Sequence, residues 1–146
     1  MSFKGNLFYW LLLHCNFAKA KNLVSYFLNS LFEKLEKFSV NGQCVELSPY
    51  GNGNVNDTYV VTLENNRESK KYTLQRINHL VFKNPPQLMD NLSRVSRHLQ
   101  TKPGRHCLRV MAAKNGQFYH QDADGNYWRL MEYIEGVKCL EVPRNR

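Results

Sequence analysis

Between positions 23 and 38 the apolar residues fall at Leu23, Val24, Phe27, Leu28, Leu31, Leu35 and Phe38, with Glu33, Lys34, Glu36 and Lys37 between them. That period is helical with one buried stripe, and it predicts a helix over Asn22 to Phe38 whose aromatic residues join the core. Asn41-Gly42 breaks the pattern. Cys44 to Leu47 then reads as a short strand, Thr58 to Glu64 as an alternating one and, after a turn at Asn65-Asn66, Lys71 to Ile77 as a third. Asn84-Pro85-Pro86 opens a second helix, because proline fits a first helical turn and drives the preceding residue out of helical geometry. Leu88, Leu92, Val95 and Leu99 mark its apolar face, and Lys102-Pro103-Gly104 ends it. Leu108 to Ala112 follows, then a hairpin of Gln117 to Gln121 and Tyr127 to Ile134 around the turn residues Asp122-Ala123-Asp124-Gly125-Asn126. The expected fold is α+β: a mostly antiparallel five-stranded sheet with a packed helix, preceded by an N-terminal helix.

The segment that organises this plan is Gly51 to Tyr59, GNGNVNDTY, set between the first two strands. Its glycines let a backbone lie close to a ligand. Backbone N–H groups from Gly51 to Asn56, with the side chains of Asn54, Asn56 and Thr58, offer neutral donors to phosphoryl oxygens. Asn and Gly are equally the residues of a tight hairpin turn, and the loop alone does not choose between the two.

Composition narrows the class. At 146 residues the chain fits one domain, or one lobe of a larger protein, and its 42% hydrophobic content is enough to fold rather than stay disordered. A net charge of +8 favours phosphorylated or polyanionic partners, but the basic residues are scattered, as on a solvated surface and not a nucleic-acid patch. Cys15, Cys44, Cys107 and Cys139 lie too far apart for a zinc motif and suit reduced cytoplasmic thiols. Residues 1–21 stand apart: Lys4, the apolar stretch Leu7 to Leu13 and Ala18-Lys19-Ala20 have the form of a leader, yet the run is too short to span a membrane and a buried leading segment explains it as well.

Three blocks in order, GNGNVNDTYVVTL, YTLQRINHLVFKNPPQLMDNLSRVSRHL and DADGNYWRLMEYIEG, resemble the aminoglycoside phosphotransferase and choline kinase superfamily, and within it most the N-acetylhexosamine 1-kinases. The resemblance covers Leu31 to Gly136. It implies a protein-kinase-like N-terminal lobe over residues 22–136, a tail over 137–146 beyond the hinge, ATP and Mg2+ as cofactors, and transfer of the γ-phosphate to an amino-sugar hydroxyl. Gly51, Gly53, Asn54, Asn56 and Thr58 would form the lid over the phosphates. Arg76 would rest on them, its planar fork suiting phosphate oxygens. Asp90 would hold that cation, the competing reading being an ordinary acid in a first helical turn. Glu132, Tyr133 and Ile134 would be the hinge whose backbone pairs with adenine, beneath apolar cover from Val61 and Leu74. Met131, Tyr133 and Ile134 also fit plain strand core.

His120, Asp122 and Asn126 have the H-x-D-x-x-x-N spacing of a kinase catalytic loop. They precede the hinge and carry hairpin residues, so they are expected to be a turn. Because the resemblance places the catalytic base, metal ligands and sugar pocket in a C-terminal lobe, this chain is expected to hold none of them, to be a fragment, and to be inactive alone. Two other classes stay open: a basic module stacking single-stranded bases on exposed Tyr119 and Tyr127, and a non-catalytic interaction module. The inter-lobe face is expected to favour self-association; neither a nucleic-acid partner nor a membrane is expected.

Overall fold

The computed structural model describes residues 17–51, 55–66, 68–102 and 107–136, with side chains from residue 23 onward. Among them two helices, α1 (Phe17–Leu35) and α2 (Pro85–Gln100), pack on a five-stranded sheet of β1 (Gln43–Pro49), β2 (Asp57–Asn65), β3 (Glu68–Ile77), β4 (His120–Gln121) and β5 (Tyr127–Glu132). The sheet order is β1-β2-β3-β5-β4 and every neighbouring pair is antiparallel. The expected α+β class and five-stranded sheet are present. Leu108 to Ala112 is not a full strand: Val110 makes one bridge to Met131, Met111 N–H donates to Leu130 and Glu132 N–H donates to the Arg109 carbonyl, so this segment lines the outer edge of β5 beyond short β4.

Each face of the sheet has its own core, because side chains alternate along a strand. Val61 and Leu63 of β2, Tyr72 and Leu74 of β3, and Trp128 and Leu130 of β5 face α1, packing with Leu31, Leu35, Phe38 and Ala113. Ile77 and Met131 face α2, packing with Met89 and Val110. Of the predicted stripe on α1, Leu31 and Leu35 are buried, and Phe38 is buried beyond the helix end. Phe27, expected in the core, lies at the rim, 45% exposed, with its ring 6.0 Å from that of Tyr59.

The apolar face expected of helix α2 is kept in part, with Leu88 and Leu92 packing half-buried against the α2-side core. Val95 is 56% exposed, while Pro85, Met89, Ser93 and Ser96 are buried. Serine tolerates that position because its hydroxyl bonds to backbone: Ser96 Oγ donates to the Leu108 carbonyl at 2.5 Å and Ser93 Oγ to the Asp90 carbonyl at 2.8 Å. The helix opens where proline predicted, with Asn84 Oδ1 accepting from Gln87 N–H at 3.2 Å. No helix among the described residues is long and apolar enough to cross a membrane.

Gly42 carries the chain from α1 into β1 at φ +133°, and a Cβ there would meet the Glu64 carbonyl oxygen at 2.9 Å. Both the left-handed backbone and the approach of a rigid strand require glycine. Gly42→Ala is expected to lower stability by about 1–3 kcal/mol, read as a fall in the urea midpoint; an unchanged midpoint would mean that this turn relaxes freely.

Candidate functional site

The loop between β1 and β2 opens at one end of the sheet, beside the end of β3 and the start of β5. Gly51 has φ +72° with open space where a side chain would point; Gly53 and Asn54 lie outside the described residues. Tyr50 N–H donates to the Thr58 carbonyl at 2.9 Å, closing the loop's base. Asn56 Oδ1 accepts from Asn78 N–H at 2.9 Å, which ties the loop's far side to the end of β3 and leaves the Asn56 amide donors out of that bond.

Strand alternation decides which cations can face a common ligand. Arg76 is paired across the strands with Asp57 and Trp128, on the α1 face. Its charge is taken up there: Nε donates to Asp57 Oδ2 at 2.8 Å, Nη2 forms an ion pair with the same carboxylate, and Nη1 reaches Asn126 Oδ1 at 3.5 Å. Asp90 does not hold Arg76. It sits in the second turn of α2, exposed, with its carboxylate 3.8 Å from Arg94 one turn on, and it belongs to neither the first turn nor the sheet side of the helix.

One residue earlier on β3 the face reverses. Gln75 is paired with Thr58 on one side and Arg129 on the other, and these three form a polar row beneath α2. Gln75 Nε2 donates to Thr58 Oγ1 at 2.7 Å, and Gln75 Oε1 accepts from Arg129 Nε at 2.9 Å and Nη2 at 2.6 Å. The helix contributes Met89, whose sulfur lies 3.8 Å from Arg129 Nη1. Burial pushes the Arg129 pKa below the ordinary arginine value. Sequence reasoning passed over Gln75 and Arg129; the signal available was parity, since residues 75 and 76 must point to opposite faces and only one of those faces meets α2.

The proposed hinge lies at the opposite end of the sheet. Glu132 and Tyr133 use their backbone N–H groups on the Arg109 and Lys71 carbonyls. The Tyr133 ring stands edge-on to Tyr50, centroids 5.7 Å apart, joining the entry of the glycine loop to the exit of β5, while Ile134 is exposed. Val61 and Leu74, expected over adenine, are fully buried on the α1 face and cannot cover a ligand on the α2 face. The residues that alternation puts there are Val60, Thr62 and Thr73.

The H-x-D-x-x-x-N match is a hairpin turn. Asp122 N–H donates to the Asn126 carbonyl at 2.9 Å, Gly125 takes φ +80°, and the Asp122 carboxylate accepts from Trp128 Nε1 at 2.8 Å, Asn126 N–H at 2.8 Å and Asp124 N–H at 3.1 Å. Tyr119 and Tyr127, expected as exposed stacking platforms, are half-buried against each other and the α2-side core. Among the described residues no group of three or more His, Cys, Asp or Glu could hold a metal, so no Mg2+ ligand is assigned. No protein-family model matches the chain.

Proposed function

We propose that this chain is the ATP-binding, protein-kinase-like N-terminal lobe of a cytoplasmic small-molecule kinase of the aminoglycoside phosphotransferase type, with an N-acetylhexosamine as the acceptor class. The observation that carries the reading is the placement of two donor sets at opposite ends of one sheet face. Gly51, Asn56 and Thr58 lie at one end; at the other the backbone leaves β5 through Ile134 and Glu135, beyond Glu132 and Tyr133, whose N–H groups are taken by the Arg109 and Lys71 carbonyls. Four residue steps lead from Arg129 to Tyr133, just past the end of β5, about 13 Å at about 3.3 Å each, the scale of an extended nucleoside triphosphate. Between them the face carries the β-branched residues Val60, Thr62 and Thr73, with Thr62 buried and the Tyr50 and Tyr133 rings in contact between the two ends, so a flat ring enters where that tyrosine pair parts.

In the complete kinase that the resemblance implies, phosphoryl transfer depends on positioning and on Mg2+ neutralising the phosphates. The lobe's part is to hold ATP by neutral loop donors and by the hinge backbone; the base, the metal ligands and the sugar pocket belong to a second lobe. Titrating ATP into the isotope-labelled chain is expected to shift the amide resonances of Gly51, Asn56 and Thr58 together with Ile134 and Glu135. Absence of any shift at millimolar ATP would overturn the reading.

A further inference from the structure

Arg129 is a half-buried guanidinium whose hydrogen-bond partners are uncharged, Gln75 Oε1 and Met89 Sδ. Among the described residues the arginine ion pairs join Arg76 to Asp57, Arg94 to Asp90 and Arg109 to Glu132, and none takes up Arg129. A guanidinium is a costly way to tie two strands together, because a desolvated charge without a counter-charge destabilises the fold. Neutral acceptors fix its direction without cancelling its field. Gln75 is itself held by Thr58 at the foot of the glycine loop, so the row Thr58, Gln75, Arg129 transmits the position of the loop's end to the cation.

We propose that Arg129, and not Arg76, is the cation that holds the nucleotide phosphates, with Gln75 as its positioning residue; this rests on the reading of the chain as an ATP-binding lobe. Of the five N–H donors of the guanidinium, two go to Gln75 and one faces the Met89 sulfur, a weak acceptor. The remaining donors suit the charge-assisted pairing that phosphate oxygens make with arginine. Arg76 has the opposite arrangement: Asp57 already neutralises it, and its side chain lies on the face away from α2, 42% exposed. The position on α2 that meets the sheet cation is occupied by Met89, which leaves the charge for a ligand.

The test is titration of the intact chain with ATP and, separately, adenosine, in the wild type and in Arg129→Gln, Gln75→Glu and Arg76→Gln. Arg129→Gln is expected to weaken ATP by about tenfold or more while adenosine affinity stays unchanged. Gln75→Glu keeps the guanidinium and its packing but sets a carboxylate against it, so ATP affinity falls with thermal stability retained; this variant decides the matter even if Arg129→Gln fails to fold. ATP affinity unchanged in either folded variant, or a greater loss in Arg76→Gln, overturns the assignment. Equal wild-type affinity for ATP and adenosine overturns the assignment and leaves the nucleotide reading standing, whereas binding of neither removes both.

Discussion

Phe38→Ala is expected to lower the unfolding free energy by about 3–5 kcal/mol, the usual cost of emptying a fully buried aromatic site. Phe38 is 1% exposed and lies where three segments meet: the turn after α1, the α1 face of the sheet, and Ala113, to which it is bridged through backbone. The backbone around it is stitched as well, Ser39 N–H donating to the Ala112 carbonyl and Lys114 N–H to that of Lys37, both at 2.8 Å. That stitching keeps the walls from collapsing into the space left by a lost ring, which places the expected cost at the high end. Against a total of about 5–15 kcal/mol for an ordinary domain, the loss would leave α1 only weakly docked. Urea unfolding followed by Trp128 fluorescence measures it, with Phe38→Leu as the milder comparator; a change in Phe38→Ala below about 1 kcal/mol would mean that α1 does not supply this core.

The elements were largely legible because their signals are local. Asn84-Pro85 fixes the start of α2 by capping and by proline's fixed backbone angle, and Gly42 and Asp122 to Asn126 punctuate the strands through residues that tolerate turns. The faces were harder to read, for a physical reason. Both sides of the sheet are covered, so β3 carries Tyr72 and Leu74 toward α1 and Ile77 toward α2, and the apolar alternation that would reveal its orientation is blurred. Without it, Arg76 and Gln75 are interchangeable on paper, although they look in opposite directions. Ser93 and Ser96 misled for a related reason: a hydropathy pattern cannot anticipate a hydroxyl that is buried because a carbonyl waits for it. Asp57 was hidden inside the glycine segment, where its sequence neighbours suggested neutral donors and not the counter-charge of Arg76.

Asp122→Ala is the second large effect, about 2–3 kcal/mol, because it strips an acceptor from Trp128 Nε1 in a residue only 7% exposed and from two backbone N–H groups of the turn. A catalytic aspartate would leave stability nearly unchanged when removed, so unfolding separates the turn from the kinase-loop match without any activity assay. The pH profile gives an independent readout. Burial alone would raise the Asp122 pKa, but hydrogen bonds from Trp128 and Asn126, with the nearby Lys34 charge, hold it below its ordinary value of 3.8. A depressed carboxylate adds stability that is fully present above the unfolded pKa and is lost as pH falls below it through the folded one. His120, two residues earlier, is lowered from 6.5 by burial and by Lys37, with Lys34 adding to this and Asp122 opposing it, so it adds stability above 6.5 that is lost as pH falls through its folded pKa. Acid is therefore expected to weaken the hairpin in two windows, the first beginning near pH 6.5 and the second below pH 3.8. Asp122→Asn should abolish only the lower one, and because Asn keeps an acceptor for the indole it should cost less than Ala. Equal losses for Asn and Ala, or a lower window that persists in Asp122→Asn, would mean that the charge of Asp122 is not what the turn is built around.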